Sequence, residues 1–226
     1  MGSNRPYPDE QPVHTVNLSA FWIDRNDVTV DQYAACVTAG GCTAPRGSNS
    51  SFTYCNWGSP RTGDHPINCV DWSQGRAYCT WAGKRYPTEA EWEKAARGTD
   101  ARTFPWGDAE PSCTYAVTRD APSVEGNGCG VWTTAPVGSK PAGASPYGAL
   151  DMLGNVWQWV NDWYDPSYYA TSPSTNPPGP ASSPGGARVL RGNLWSYWTY
   201  YVPDRDFADP TFWDDGAGFR CAKDDG

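Results

Sequence analysis

Histidine, basic residues and long apolar runs are scarce in this chain. Only two of its 226 residues are histidine, His14 and His65, and they form no HxxxH pattern. Its eight cysteines contain no CxxC. Zinc sites draw their ligands from such clusters, so the sequence argues against one. Lys and Arg number 17 against 25 Asp and Glu, for a net charge of -8. That sign argues against a nucleic-acid backbone or an anionic lipid surface as partner. No apolar stretch approaches the ~20 residues of a membrane span. No signal peptide is visible, so an exported protein is expected to be seen here without its leader or as an excised domain.

Turn formers and large aromatics are abundant instead. The 24 glycines and 21 prolines exclude a helical protein and imply many turns and long irregular loops. Thirteen Trp and thirteen Tyr supply the buried surface that the few Leu and Ile cannot. An even number of cysteines in a loop-rich chain points to disulfides and an oxidising, extracytoplasmic compartment. Proximity suggests Cys36–Cys42, Cys55–Cys69 and Cys113–Cys129, although sequence alone does not fix connectivity.

Val13 to Asp24 alternates loosely and is β-rich, which predicts a strand. Thr29-x-x-Gln32 is a capping-box pattern and opens a helix through Ala39, stopped by Gly40-Gly41. Residues 41–68 are polar and turn-rich. A second helix is expected over Ser73–Ala82, ending at Gly83. In "YPTEAEWEKAARG", Thr88 caps a third helix, Glu91 closes the box and Gly98 ends it. Beyond Gly98 only short strands and turns are expected. Asp165 to Ala187 carries six prolines and reads as an extended surface loop before the β-like "RVLRG" and "GAGFRCA". There is no internal repeat. The expectation is one mixed α+β domain over residues 1–226 with little regular structure.

Several stretches in order, "MGS", "HPINCVDWSQGRAYCTWAGKRYPTEAEWEKAARG", "FPWGD", "GALDMLGNVWQWVNDWY", "RVLRG" and "GAGFRCA", resemble the formylglycine-generating enzyme, or sulfatase-modifying factor, family. The resemblance implies a C-type-lectin-like fold of that enzyme type, stapled by disulfides. It also implies a Cys79–Cys221 bridge. Family enzymes oxidise a sulfatase cysteine with two cysteines that hold copper(I), placed just after an Arg-Gly-Gly-Ser stretch. Here Arg191 and Gly192 match, Asn193 and Leu194 replace the next two residues, and the cysteine positions fall on Tyr197 and Tyr201. A phenol is a hard oxygen donor and cannot replace a thiolate on Cu(I), so no copper and no catalytic residue are expected. A branch that uses iron and three histidines is equally unsupported. The resemblance further implies structural calcium at Asp151, Gly154, Val156 and Gln158, with Gln where the family has Glu, which lowers the ligand charge. A second family calcium site falls near Tyr115 and Cys129 to Val131, where its acidic ligand is absent.

From Asn193 to Asp215, 23 residues hold eight aromatics and five Asp, with Arg205 the one base. Tyr and Trp give large, rigid contact area and are enriched at recognition hot spots. Trp195 and Phe219 are expected in the core. Ser196, Tyr197, Trp198, Tyr200, Tyr201, Asp204, Asp206, Phe207, Phe212, Trp213 and Asp214 form the expected ligand-binding set. The run from Arg191 to Arg220 is also similar to the variable proteins of diversity-generating retroelements, which share this fold and end in a diversified, aromatic-rich stretch. The expected function is thus a non-catalytic module that grips a protein, glycan or small-molecule ligand. An enzyme with altered chemistry and a structural accessory domain are the alternatives.

Overall fold

A reciprocal capping box opens each of the three α-helices in this computed structural model, which describes residues 1–46, 54–59, 62–119, 127–197 and 201–226. Helix α1 (Val30–Thr38) is capped by Thr29 and Gln32, and α3 (Glu89–Arg97) by Thr88 and Glu91, with Gly98 at a positive φ of 72° as its stop. Helix α2 (Trp72–Trp81) starts one residue before the expected Ser73, because the Asp71 carboxylate accepts from the Gln74 N–H at 2.8 Å and serves as the cap.

Among the described residues the strands are β1 (Phe21–Ile23), β2 (Trp157–Trp163), β3 (Arg188–Arg191), β4 (Asp206–Ala208), β5 (Ala217–Phe219) and β6 (Ala222–Asp224). One sheet runs β4–β3–β2–β5, antiparallel except for the parallel β2–β5 pair; β1 and β6 form a second, antiparallel ribbon. The strand expected over Val13–Asp24 shrinks to Phe21–Ile23 and a single bridge at Asn17. Its earlier part bonds to the loop at Ser174–Asn176 rather than to a sheet. "GAGFRCA" splits between two sheets. Arg220 turns inward between β5 and β6 and is fully buried on Asp27, the Gln158 side chain and three backbone carbonyls.

Alternation along β2 and β3 sorts the core into two layers. Trp159 and Leu190 face a cluster with Tyr33 and Cys36 of α1, Tyr78 and Cys79 of α2, and Phe219. Val160 and Val189 face the other way, onto Trp92, Ala95 and Ala96 of α3 and Val202. Cys36–Cys42, Cys55–Cys69, Cys79–Cys221 and Cys113–Cys129 are all bridged, as expected. The "MGS" segment is integral to the fold. Gly2 donates to Glu93 Oε1 at 2.9 Å and adopts φ +83°, where an added Cβ would lie 2.4 Å from the Glu10 carbonyl.

Candidate binding surface

The aromatic stretch leaves β3 at Arg191 through Gly192 and Asn193, both at positive φ (95° and 64°). This turn drives Leu194 and Trp195 inward, so Trp195 is core, at 3% exposed. Its backbone is clamped: Trp195 N donates to Asn155 O at 3.1 Å, and its carbonyl accepts from Gly128 N at 2.7 Å. The Tyr197 carbonyl accepts from Arg119 N at 3.0 Å and from the Thr118 hydroxyl at 2.6 Å. Asn155 supplies one of these braces and a disulfide-closed segment the others, while a second such segment holds Asp214 and Asp215. Cys113–Cys129 holds the chain that carries Thr118 and Gly128. Cys55–Cys69 holds the chain that donates from Cys69 N to Asp214 O and from Asn68 to Asp215 O. The Tyr197 side chain projects outward, 47% exposed, with its ring 5.5 Å from Trp157. Tyr54 lies 5.3 Å from the Trp195 ring and is also exposed.

The other end of the stretch is held by charge. Arg191, fully buried, donates to Glu89 (3.0 Å), Glu93 (2.9 Å) and the carbonyls of Val202 and Pro203. Arg205 adds bonds to both Glu89 oxygens at 2.8 and 3.0 Å. Burial pushes Glu89 up, but Arg205 and Arg191 outweigh it and hold the carboxyl below its ordinary range. Tyr201, next to this anchor, is 39% exposed, but its ring is engaged: Arg5 sits 3.9 Å over it and Phe104 is stacked at 5.4 Å. Asp204 pairs with Arg5 and accepts from Tyr201 N at 2.9 Å.

The expected set therefore does not form one patch. Ser196, Tyr197, Trp213 and Asp214 lie at or beside the disulfide-braced end. Tyr201 and Asp204 belong to the Arg5 corner. Asp206 and Phe207 lie on β4 at the far edge of the sheet, where Phe207 stacks on Tyr164 at 4.0 Å. Phe212 packs against the first core layer and offers part of its surface. Trp198 and Tyr200 fall outside the described residues. Burial raises the carboxyls of Asp206 and Asp214, and burial together with Asp214 raises Asp215 to about 6.

The donors do not suit the metals considered. All eight cysteines are in disulfides, so no thiolate remains for Cu(I). For calcium, the Gln158 oxygen already accepts from Trp92 Nε1 and the Arg220 guanidinium, each at 2.7 Å, while its amide donates to Asp151 O at 2.7 Å. One Asp151 oxygen accepts from Gly138 N at 2.6 Å. A guanidinium on the ligand oxygen repels a cation, so Asp151, Gly154, Val156 and Gln158 form a hydrogen-bonded turn and not a calcium cradle. The second calcium region is occupied by the Cys113–Cys129 bridge. Composition patterns pass over Tyr54 and Trp132, which stand among turn residues, and over Trp157, which opens the aromatic strand β2. The only signal for them is the adjacency of Tyr54 and Trp132 to the stapling cysteines Cys55 and Cys129.

Comparison with known proteins fits this geometry. The family model described as "Sulfatase-modifying factor enzyme 1-like domain" matches residues 1–225. The formylglycine-generating enzyme of Streptomyces coelicolor is 38% identical over 270 residues, covering 99% of this chain and 84% of that enzyme. Among solved structures, PvdO from Pseudomonas aeruginosa matches with TM-score 0.79 and 28% identity, covering 99% of this chain and 90% of PvdO. Treponema denticola variable protein 1 matches with TM-score 0.76 and 26% identity, covering 98% of this chain and 90% of that protein.

Proposed function

The chain belongs to the sulfatase-modifying factor enzyme 1-like family, and from that premise we propose that it is a non-catalytic, extracytoplasmic binding module. The observation that carries this is the state of its sulfur. The positions where the family's copper thiolates fall are Tyr197 and Tyr201, and every cysteine elsewhere is locked in a disulfide. Soft-metal oxidation chemistry has no ligand here, while Tyr197 offers an exposed, rigidly mounted aromatic of the kind enriched at recognition hot spots. The similarity to Treponema denticola variable protein 1 supports a finer form, a retroelement-diversified variable protein with its diversified segment within residues 193–215.

Two measurements test the proposal. Copper-loaded protein incubated with a Cys-x-Pro-x-Arg peptide is expected to yield no aldehyde by mass spectrometry; turnover to formylglycine overturns the non-catalytic assignment. For the finer form, the gene's locus is expected to hold a near-identical template differing mainly at adenines, beside a reverse transcriptase gene. A locus without either leaves an ordinary binding paralogue.

A further inference from the structure

Tyr197 is not the only exposed aromatic at the disulfide-braced end. The turn Asn127–Trp132 hangs from the Trp195 carbonyl through Gly128 N, and from the Thr118 carbonyl through Cys129 N at 2.9 Å. The turn is closed on itself by bonds from Gly130 N and Trp132 N to Asn127 O, at 3.1 and 3.0 Å. It is tight. Gly128, Cys129, Gly130 and Trp132 all have positive φ, and a Cβ on Gly128 would lie 2.2 Å from the Thr133 carbonyl. A left-handed tryptophan is uncommon, since its Cβ crowds the backbone. Yet this turn uses that conformation to place Val131 and Trp132 in solvent, 60% and 53% exposed. Large apolar side chains held outward by a strained, cross-linked turn have no role in the core, and such strain gathers at binding sites.

We infer that the Asn127–Trp132 turn is a fixed finger of the binding surface: Val131 and Trp132 enter an apolar pocket of a folded protein partner, while a Lys or Arg of that partner is received by Asp214 and Asp215. The inference rests on the binding function proposed above and adds an anchor outside the aromatic stretch. Charge selects the occupant. Neither Asp214 nor Asp215 makes an ion pair among the described residues, and the whole chain carries -8, so the complementary surface is basic. Shape selects its size. A cleft of about 750 Å³ among the described residues is lined by the N-terminal segment, α3 and Tyr201, and not by Trp132 or Tyr197. The finger therefore projects instead of enclosing, which suits a protein surface better than a small molecule.

A yeast-displayed three-helix bundle, randomised over one face, is sorted against the native protein, and the binders obtained are the probe. Most are expected to lose about tenfold or more in affinity to Trp132→Gly, and to carry a central Lys or Arg whose removal makes them indifferent to Asp215→Asn. Glycine suits the left-handed φ, so Trp132→Gly is expected to keep or raise Tm; a fall in Tm assigns the tryptophan to the frame and overturns the inference. Binders that respond to Tyr197→Ala but not to Trp132→Gly overturn the finger and leave the broader binding function intact. Binders indifferent to both remove both. Trp132-dependent binding to phosphatidylcholine vesicles, with library binders insensitive to it, assigns the finger to a lipid surface and also overturns the inference.

Discussion

The two ends of the aromatic stretch are held by opposite chemistries. At Trp195–Tyr197 the anchors are neutral hydrogen bonds on the backbone of the stretch, with Asn155 and with the segment closed by Cys113–Cys129. At Val202–Arg205 the anchors are guanidinium–carboxylate contacts inside the protein, Arg191 and Arg205 on Glu89 and Glu93. A buried ion network tolerates no change of partner, because each uncompensated charge in a low-dielectric interior is costly. Backbone bonds ignore side-chain identity. The charged end therefore fixes where the stretch returns to the fold, and the disulfide end lets side chains change without losing their mount. The residues at 198–200 between them are outside the described structure.

The largest effect is expected at the charged end. Glu89→Gln leaves Arg191 and Arg205 short of one negative charge in the interior and is expected to cost about 3–5 kcal/mol in urea unfolding. It is expected to unprotect the amides around Val202 in hydrogen exchange and leave Gly128 and Arg119 protected. Removing both Cys113 and Cys129 as serines is expected to reverse that pattern. Its cost, about 2–4 kcal/mol, follows from a closure with sequence separation 16, and the amides of Arg119, Gly128 and Cys129 are expected to exchange faster. If both variants loosen the same amides, the two anchors are one cooperative unit and the contrast between them fails.

A smaller pair of substitutions sharpens the comparison at the two positions that replace the family's thiolates. Tyr201→Ala removes a ring sandwiched by Arg5 and Phe104 and is expected to cost about 1–2 kcal/mol. Tyr197→Ala removes a ring that contacts Trp157 and is 47% exposed, and is expected to cost about 0.5 kcal/mol or less. Thermal unfolding of the two variants side by side measures the difference. Equal costs remove the claim that Tyr197 is displayed while Tyr201 is part of the frame.

Much of the frame was legible in sequence. Thr29, Thr88 and their box partners announce helix starts because capping is a local reaction of the chain with itself. The shift of α2 to Trp72 shows the same rule at work, since Asp71 is itself a cap residue and closes a box with Gln74. The buried position of Trp195 followed from its family match, and the local disulfide pairs from proximity. The grouping of the surface residues was not legible. Whether Tyr201 faces solvent depends on Arg5, 196 residues earlier, and on Phe104; whether Gln158 is free to bind a cation depends on Trp92 and Arg220. β2 also escaped prediction: its buried pattern places Trp159 and Val160 on opposite layers, and a strand buried on both faces lacks the polar–apolar alternation that marks a half-exposed one.

A pH-dependent effect concerns the acids beside the braced end. In an unfolded chain an aspartate titrates near 3.9, whereas burial and the neighbouring Asp214 raise folded Asp215 to about 6. Between these two values the unfolded chain has released the proton and the folded protein still holds it, so folding takes up a proton. The contribution of Asp215 to stability thus falls as pH rises from about 4 to about 6 and is level above that. Binding of a basic partner runs the other way, because only the ionised carboxylate attracts a cation: affinity is expected to rise through pH 6 while stability declines. Asp215→Asn is expected to flatten both curves together, measured as Tm and as the affinity of Trp132-dependent binders between pH 4.5 and 7.5 as a test range of roughly three units. A binding curve that keeps its rise in Asp215→Asn moves the cation-receiving role to Asp214, the other acid of this end that burial also raises.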